Sequence, residues 1–458
     1  MRSFAVLCVL SAIAMSSINI TLVNIALPVL SADLHIPASL AICVVSLYQL
    51  TLLLLLLATS TLGNAAGFKN IFLAGIAVFT LSSVGCAAAH TFTELIFWRV
   101  VQGVGAAAIQ GGYLSLLLLI YPKEQLGRGT GLASAMFSLT AVAGPPLAAV
   151  TLSCLSWHYL FLLNVPVGIA ALLLGYYHLP ANRQENNQDS IAGHSRHLSD
   201  FILHILTFGL FFAAASLWMH CPVRTLLNSI ITILCLLIAV LYVRKQSRQA
   251  TPFLPVDLLK NPVFAVPLLL IVLYFAALMT SIVAFPFVLQ QKYGYTPAHA
   301  GFMLTAFALA TLASSPLAGY LIEKTNPLYL PAAGFCFLSI GTFSLTMLPV
   351  SPSPVSLIWR LGLCGIAAGC ILPANNFLGM RAAPPNRTGA ASGMIATAMM
   401  FGQILGMLCV TAVFAFAGNG NLLPFGVSGI ISIAGALLAC FYAWKATFNR
   451  QQIKENEK

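Results

Sequence analysis

Apolar runs of twenty or so residues recur along this chain from Phe4 to Trp444, separated by short polar breaks. About twenty apolar residues in a row, wound as a helix, cross the hydrocarbon core of a bilayer. Fourteen such spans are read, at residues 4–30, 37–59, 70–89, 93–120, 129–154, 158–178, 200–219, 226–243, 263–290, 300–322, 328–349, 353–378, 389–417 and 423–444. Of the 458 residues, 59% are hydrophobic and 7% charged, where a soluble chain carries about 25% charged residues. No soluble core could hide that much apolar surface, so the solvent must be lipid. Backbone groups in lipid are satisfied internally, which makes these runs helices. The expected fold class is an all-α polytopic membrane protein.

The start, "MRSFAVLCVLSAIAMSS", has the look of a secretory signal, but the apolar run continues to Leu30, which fits an uncleaved first span. The formal charge of +11 would suggest nucleic acid until the charges are placed. With the amino terminus inside, Arg2, Lys69, Lys123, Arg128, Arg183, Arg196, Arg244, Lys245, Arg248, Lys260, Lys324, Arg381, Arg387, Lys445, Arg450, Lys454 and Lys458 are cytoplasmic. Only Arg224 and Lys292 fall outside, a bias of 17 to 2. The basic balance is therefore an orientation signal: both termini are expected in the cytoplasm, with no nucleic-acid partner. The 11 cysteines are scattered without a C-x-x-C and read as small apolar residues, with no metal site expected.

Two polar breaks divide the chain. "ANRQENNQDSIAGHSRHLSD" (181–200) follows the sixth span and "RKQSRQATPFLPVDLLKNP" (244–262) the eighth. They define an N-terminal six-helix lobe (1–180), a cytoplasmic loop with a two-helix insert (181–262), and a C-terminal six-helix lobe with a short cytoplasmic tail (263–458). An internal repeat supports that partition. "LIFWRVVQGVGAA" (95–107) resembles "LIWRLGLCGIAAG" (357–369), "LATSTL" (57–62) resembles "LASSPL" (312–317), and "GLASA" (131–135) resembles "GAASG" (389–393). The offsets are 261, 255 and 258, nearly constant. Parallel repeats of this kind build two-lobed transporters with a site near the midplane.

At this point the chain resembles a known family. "NITLVNIALPVLSADL" (19–34), "RVVQGVGAA" (99–107), "GPPLAA" (144–149) and "SWHYLFLLNVPVG" (156–168) are similar to the helix-one, four, five and six patterns of the fourteen-helix drug:proton antiporters of the major facilitator superfamily. The resemblance runs the length of the chain. It implies that superfamily's fold, an inner-membrane location and alternating-access transport of small amphiphiles, with no cofactor.

The residues carry the reading further. Arg99, Gln102, Gly103, Ala106 and Gln110 fall near one face at helical spacing. Polar groups in lipid are expensive, so that face should line a cavity, unless Arg99 snorkels to the headgroups, an explanation that also serves Arg360. Asn19, Thr21 and Asn24 on the first helix are expected beside them, with Arg360, Asn375, Asn376 and Gln403 from the second half. Gly144, Pro145 and Pro146 combine a small residue with two bends, and the resemblance places that helix at the interface between halves. In "STLGNAAGFKN" (60–70) only Leu62, Gly67 and Lys69 survive of the family's charged loop motif, so a plain cytoplasmic turn is the better reading. The repeat's version keeps Gly319, Leu321, Glu323 and Lys324.

The main departure is Asn19, where the family usually has an aspartate that titrates during proton exchange. All ten carboxylate side chains, Asp33, Glu94, Glu124, Glu185, Asp189, Asp200, Asp257, Glu323, Glu455 and Glu457, fall in loops, tails or helix ends. Arg99 then has no evident buried counter-ion except Glu94, which is on a different helix face. His204 is inside the seventh span and reads as a partnered or lipid-interface residue. Gly103-x-Gly105 lacks the strand and third glycine of a dinucleotide site, and no P-loop, G-x-S-x-G or H-E-x-x-H occurs. The expectation is a non-enzymatic secondary transporter, exporting drug-like or amphiphilic small molecules, coupled to protons or another ion. An importer or facilitator of an anionic or neutral solute is the alternative, and a non-transporting receptor on the same fold a weaker one.

Overall fold

The computed structural model describes residues 2–121, 126–180, 201–215, 225–247, 256–382, 388–418 and 420–456. Fourteen principal helices are numbered here in chain order. They are α1 (Arg2–Asp33), α2 (Cys43–Ala66, after a short turn Ala38–Ala41), α3 (Phe68–Ala87), α4 (Phe92–Ile120), α5 (Leu126–Cys154) and α6 (Asn164–His178, after His158–Leu162). α7 (Phe201–Ala215) and α8 (Thr225–Ser247) follow. The rest are α9 (Pro262–Phe287, running into a π turn Val288–Lys292), α10 (Pro297–Lys324), α11 (Tyr329–Thr346), α12 (Pro354–Ala382), α13 (Thr388–Ala417) and α14 (Leu423–Asn456). Among the described residues there is no strand, and twelve helices are long and apolar enough to cross a membrane. In α5 and α7 the apolar stretches described in full are Leu139–Cys154 and Phe201–Ala215.

The chain forms two compact units. The first holds Met1–Phe253 and Thr296–Gly301, the second Leu254–Tyr295 and Phe302–Lys458. Within the first, α1 packs on α4, α5 and α6, and α3 packs on α4 and α6. Within the second, α9 packs on α12, α13 and α14, and α11 packs on α12 and α14. The pairing is the same in both, as the internal repeat requires.

Small residues make these crossings possible. A Cβ on Gly105 would stand 2.6 Å from Phe79 N and 2.8 Å from Gly75 O, so α3 and α4 touch backbone to backbone. A Cβ on Gly103 would stand 2.8 Å from Tyr48 O, so the same motif turns its other glycine to α2. In the second unit Gly365 faces Phe307 O and Ala310 on α10 in the same manner. Many buried hydroxyls bond to carbonyls one turn back, as Thr80 to Ile76 O and Thr342 to Leu338 O do, which satisfies them within their own helix.

Two expectations are refined. The segment 60–70 is helical apart from Gly67, whose φ of +90° makes the sharp bend from α2 into α3 that only glycine takes without strain. There is no extended loop there for a charged motif to occupy. His204 is fully buried, with Nδ1 3.0 Å from the Tyr242 hydroxyl, so it pairs α7 with α8. The polar break 181–200 lies outside the described residues.

Candidate functional site

α4 begins in a capping box: Thr91 Oγ1 accepts from Glu94 N, while the Glu94 carboxylate accepts from the His90 and Thr91 amides. Glu94 is exposed and occupied at the helix end, so it does not balance Arg99. Asp33 is equally occupied, accepting from Trp157 Nε1 at 2.8 Å where α1 ends and the α6 region begins. The two acids nearest this face therefore hold helix ends.

Among the described residues Arg99 is the largest fully buried side chain, 0% exposed. That excludes snorkelling to the headgroups. Its Nε donates to Val44 O of α2 at 2.8 Å, and its Nη1 donates to both Asn19 Oδ1 of α1 and Gln102 Oε1 on its own helix. The guanidinium lies over the Tyr48 ring, 4.3 Å from its centroid, with Phe161 at 5.7 Å. Gln102 Nε2 continues the chain to Ser83 Oγ on α3 at 2.7 Å. Tyr48 is fixed by donating its hydroxyl to Ser16 O. Helices α1, α2, α3 and α4 thus converge on one cation through neutral acceptors and a ring face.

Charge-assisted hydrogen bonds contribute about 1.5–3 kcal/mol each, and a desolvated cation–π contact about 2 kcal/mol. A buried charge costs several kcal/mol even after relaxation. The shell roughly offsets that cost but leaves the positive charge uncancelled. Two donors also remain unsatisfied, Arg99 Nη2 and Asn19 Nδ2, both buried without a hydrogen-bond partner; on α1 the Ser17 hydroxyl and the acceptor Asn24 Oδ1 are likewise buried and unpartnered. This arrangement can accept a negative or hydrogen-bond-accepting group. The uncancelled guanidinium charge repels a cation.

Asn19, Arg99 and Gln102 are therefore brought together. Asn24 is buried on the same helix as Asn19. Gln110 is half-buried on α4, eleven residues and roughly 16 Å beyond Arg99, outside the cluster. Thr21 is at a crossing: a Cβ on Gly144 of α5 would lie 2.7 Å from Thr21 Cβ. Pro145 is buried and Pro146 half-buried in the turn that follows. Lys69 Nζ donates to Tyr176 O at 3.0 Å, a cation closing the last turn of α6. The Glu323 side chain lies outside the described residues.

In the second unit the repeat partner behaves differently. Arg360 is half-buried, donates from Nε to Ser344 O at 2.9 Å and from Nη1 to Ser356, and stacks on Trp359. One reason is its neighbour: by the 261-residue offset of this match, Leu363 stands where the first copy has Gln102, so that amide acceptor is not offered. Its bonds anchor the end of α11 to the start of α12. Deeper on α12, past Pro373, Asn375 is fully buried and neither amide atom has a partner, nor does Asn376 Oδ1. Gln403 on α13 is half-buried beside Gly402, where α13 meets the α9 backbone.

Sequence reasoning missed Tyr48, Val44 O, Ser83 and Phe161. The available signal was Tyr48-Gln49, a polar-edged pair inside an otherwise apolar second span. A backbone carbonyl leaves no such trace.

A family model described as Major Facilitator Superfamily matches residues 9–407 and 268–458. The uncharacterized transporter YebQ of Escherichia coli (strain K12) is 36% identical over 96% of this chain and 95% of its own length. The riboflavin transporter RibZ of Clostridioides difficile (strain 630) is 26% identical over 88% of this chain and 86% of its own. The multidrug resistance protein Stp of Mycobacterium tuberculosis (strain CDC 1551 / Oshkosh) is 27% identical over 88% of this chain and 74% of its own. A crystal structure of a POT family transporter with 5-aminolevulinic acid has a TM-score of 0.70, with 14% identity and 96% of each chain covered, a likeness of fold.

Proposed function

The chain belongs to the Major Facilitator Superfamily, and from that premise we propose that it exports neutral or anionic amphiphilic small molecules by alternating access. The family and the relatives are transporters, so the chain is not an enzyme. The observation that carries the proposal is the wholly buried Arg99 in a shell of neutral acceptors, with donors left over on Arg99 and Asn19.

In this reading the protein is of the fourteen-helix drug:proton antiporter type, in an inner membrane with both termini cytoplasmic. Residues 1–180 and 263–458 are its two lobes, and 181–262 carries the insert. Asn19, Asn24, Arg99 and Gln102 meet the substrate from the first lobe. Thr21 and Gln110 extend that side, while Asn375, Asn376, Gln403 and Arg360 serve the second. Gly144, Pro145 and Pro146, with Gly67, Lys69 and Glu323, serve the conformational change. Arginine stays protonated and asparagine does not titrate, so Arg99 and Asn19 supply a fixed charge, not a proton relay. Another ionisable group must then carry any coupling proton.

Resistance-protein relatives such as Stp support the export direction. Import of a neutral or anionic solute is the second reading, favoured by the relative named as a riboflavin transporter. Uptake and efflux of a panel of amphiphiles in inverted vesicles, with and without a pH gradient, separates the two. Accumulation inside inverted vesicles supports export; release only, in every condition, supports import.

A further inference from the structure

The second unit contains, at one end, a cavity of about 850 Å³. It is lined by the first turns of α9, the connection from α10 to α11, the last turns of α12 and the middle of α14 from Leu438 to Lys445, all in that unit. Its size is at the upper end of the range for small-molecule pockets, about 300–1,000 Å³. Val263 and Val266 of α9, Leu378 of α12, and Leu438 and Phe441 of α14 make an apolar wall. Arg381 and Lys445 stand at the rim, and among the described lining residues there is no acid.

Depth gives this arrangement its meaning. The apolar run of α12 ends just before Arg381 and that of α14 at Trp444, with Lys445, Asn449 and Arg450 following, so both cations stand where hydrocarbon gives way to headgroups. Phe441 (57% exposed) and Trp444 (61%) lie beside them on the outer surface of α14, as aromatic residues do at a membrane interface. Orientation in the membrane explains both cations, and the helix dipole also Arg381 in the last turn of α12, but neither calls for a hollow beneath them. An apolar hollow below two cations, opening at the interface, matches an amphiphilic anion held with its charge at headgroup level.

We propose that this cavity binds an anionic phospholipid of the surrounding bilayer, its phosphate between Arg381 and Lys445 and its acyl chain against Val266, Leu378 and Leu438. The lipid bridges the ends of α9 and α12 and the middle of α14 and so tightens the second unit. A free phosphate gains nothing from the apolar wall. A zwitterionic lipid gains little from two cations.

The test uses the full-length protein, purified in detergent and supplied in turn with phosphatidylglycerol, phosphatidylcholine of the same acyl chains, or inorganic phosphate. Retained lipid is read by native mass spectrometry and stability by thermal melting. Phosphatidylglycerol should be retained and raise the melting temperature, while the other two should not. Each cation contributes about fivefold to anionic-lipid binding, so Arg381→Gln with Lys445→Gln should lower retention about 25-fold. Leu438→Trp, which fills the hollow and keeps both cations, should also lose it. The exchange Arg381→Lys with Lys445→Arg should keep it. Equal retention of phosphatidylcholine, or stabilisation by inorganic phosphate alone, would overturn the proposal. So would undiminished retention in Leu438→Trp, whether or not the double glutamine variant folds.

Discussion

Replacing Arg99 by methionine separates the two tasks the residue performs, holding the helices and presenting a charge. Methionine keeps an unbranched apolar stem and a polarisable sulfur that packs against the Tyr48 ring. It removes three charge-assisted hydrogen bonds, to Val44 O, Asn19 and Gln102, and a ring contact at 4.3 Å. It also removes the several kcal/mol needed to keep an uncancelled charge 0% exposed. The two amide side chains left behind can bond to each other, so the stability change should stay within about 2 kcal/mol. Transport has no such compensation. A substrate anion about 4 Å from the guanidinium gains roughly 4 kcal/mol at an effective dielectric near 20. If half of that offsets desolvation of the anion, about 2 kcal/mol is lost, a factor of about 30 in rate. Initial rates of an anionic amphiphile in inverted vesicles, normalised to protein in the membrane, should fall by that factor with near-parental melting. Arg99→Lys, a point charge without the planar fork, should recover part of the rate. A rate for Arg99→Met within threefold of the parent would refute the reasoning. So would a variant lost from the membrane whose per-molecule rate is parental.

Asn19→Asp places a carboxylate against Arg99 Nη1, which holds it ionised and cancels the charge; export of anions should fall at least tenfold, and equally at every point when read across pH 5 to 9. Gly144→Leu drives bulk into Thr21 at the α1–α5 crossing, so turnover should drop more than the amount of protein inserted, measured as rate per molecule by immunoblot. Gly67→Ala forces a side chain onto a backbone with φ +90° and should lower stability by about 1–3 kcal/mol in thermal melts, whereas Gly319→Ala, with open space around it, should not.

The sequence carried the helices well because lipid imposes a length and a polarity on every span. Hydropathy placed α4 at 93–120 and the structure has Phe92–Ile120. It was weakest at 60–70, where Asn64 and Lys69 read as a turn although one glycine suffices for the bend. The Arg99 face was legible from helical spacing, and Asn19 from its place in a recognisable pattern. The equivalence of Arg99 and Arg360 was misleading. An arginine's surroundings depend on neighbours from other helices, and the second copy has Leu363 in place of an amide. The part played by Val44 O and Tyr48 was hidden for a related reason, since which carbonyl or ring a side chain reaches is set by packing of α2 on α4. Glu94 looked like the only available counter-ion until its capping bonds were seen.

Charge selectivity of the unmodified protein tests the central claim most directly. Two amphiphiles of matched size and hydrophobicity, one a monoanion and one a lipophilic dication, are offered separately to inverted vesicles containing the purified chain, and initial rates are compared. The fixed, uncancelled Arg99 predicts transport of the anion and little or none of the dication. Strong dication transport at rates equal to or above the anion would contradict it, and would mean that a carboxylate outside the Arg99 shell supplies the charge in the pathway.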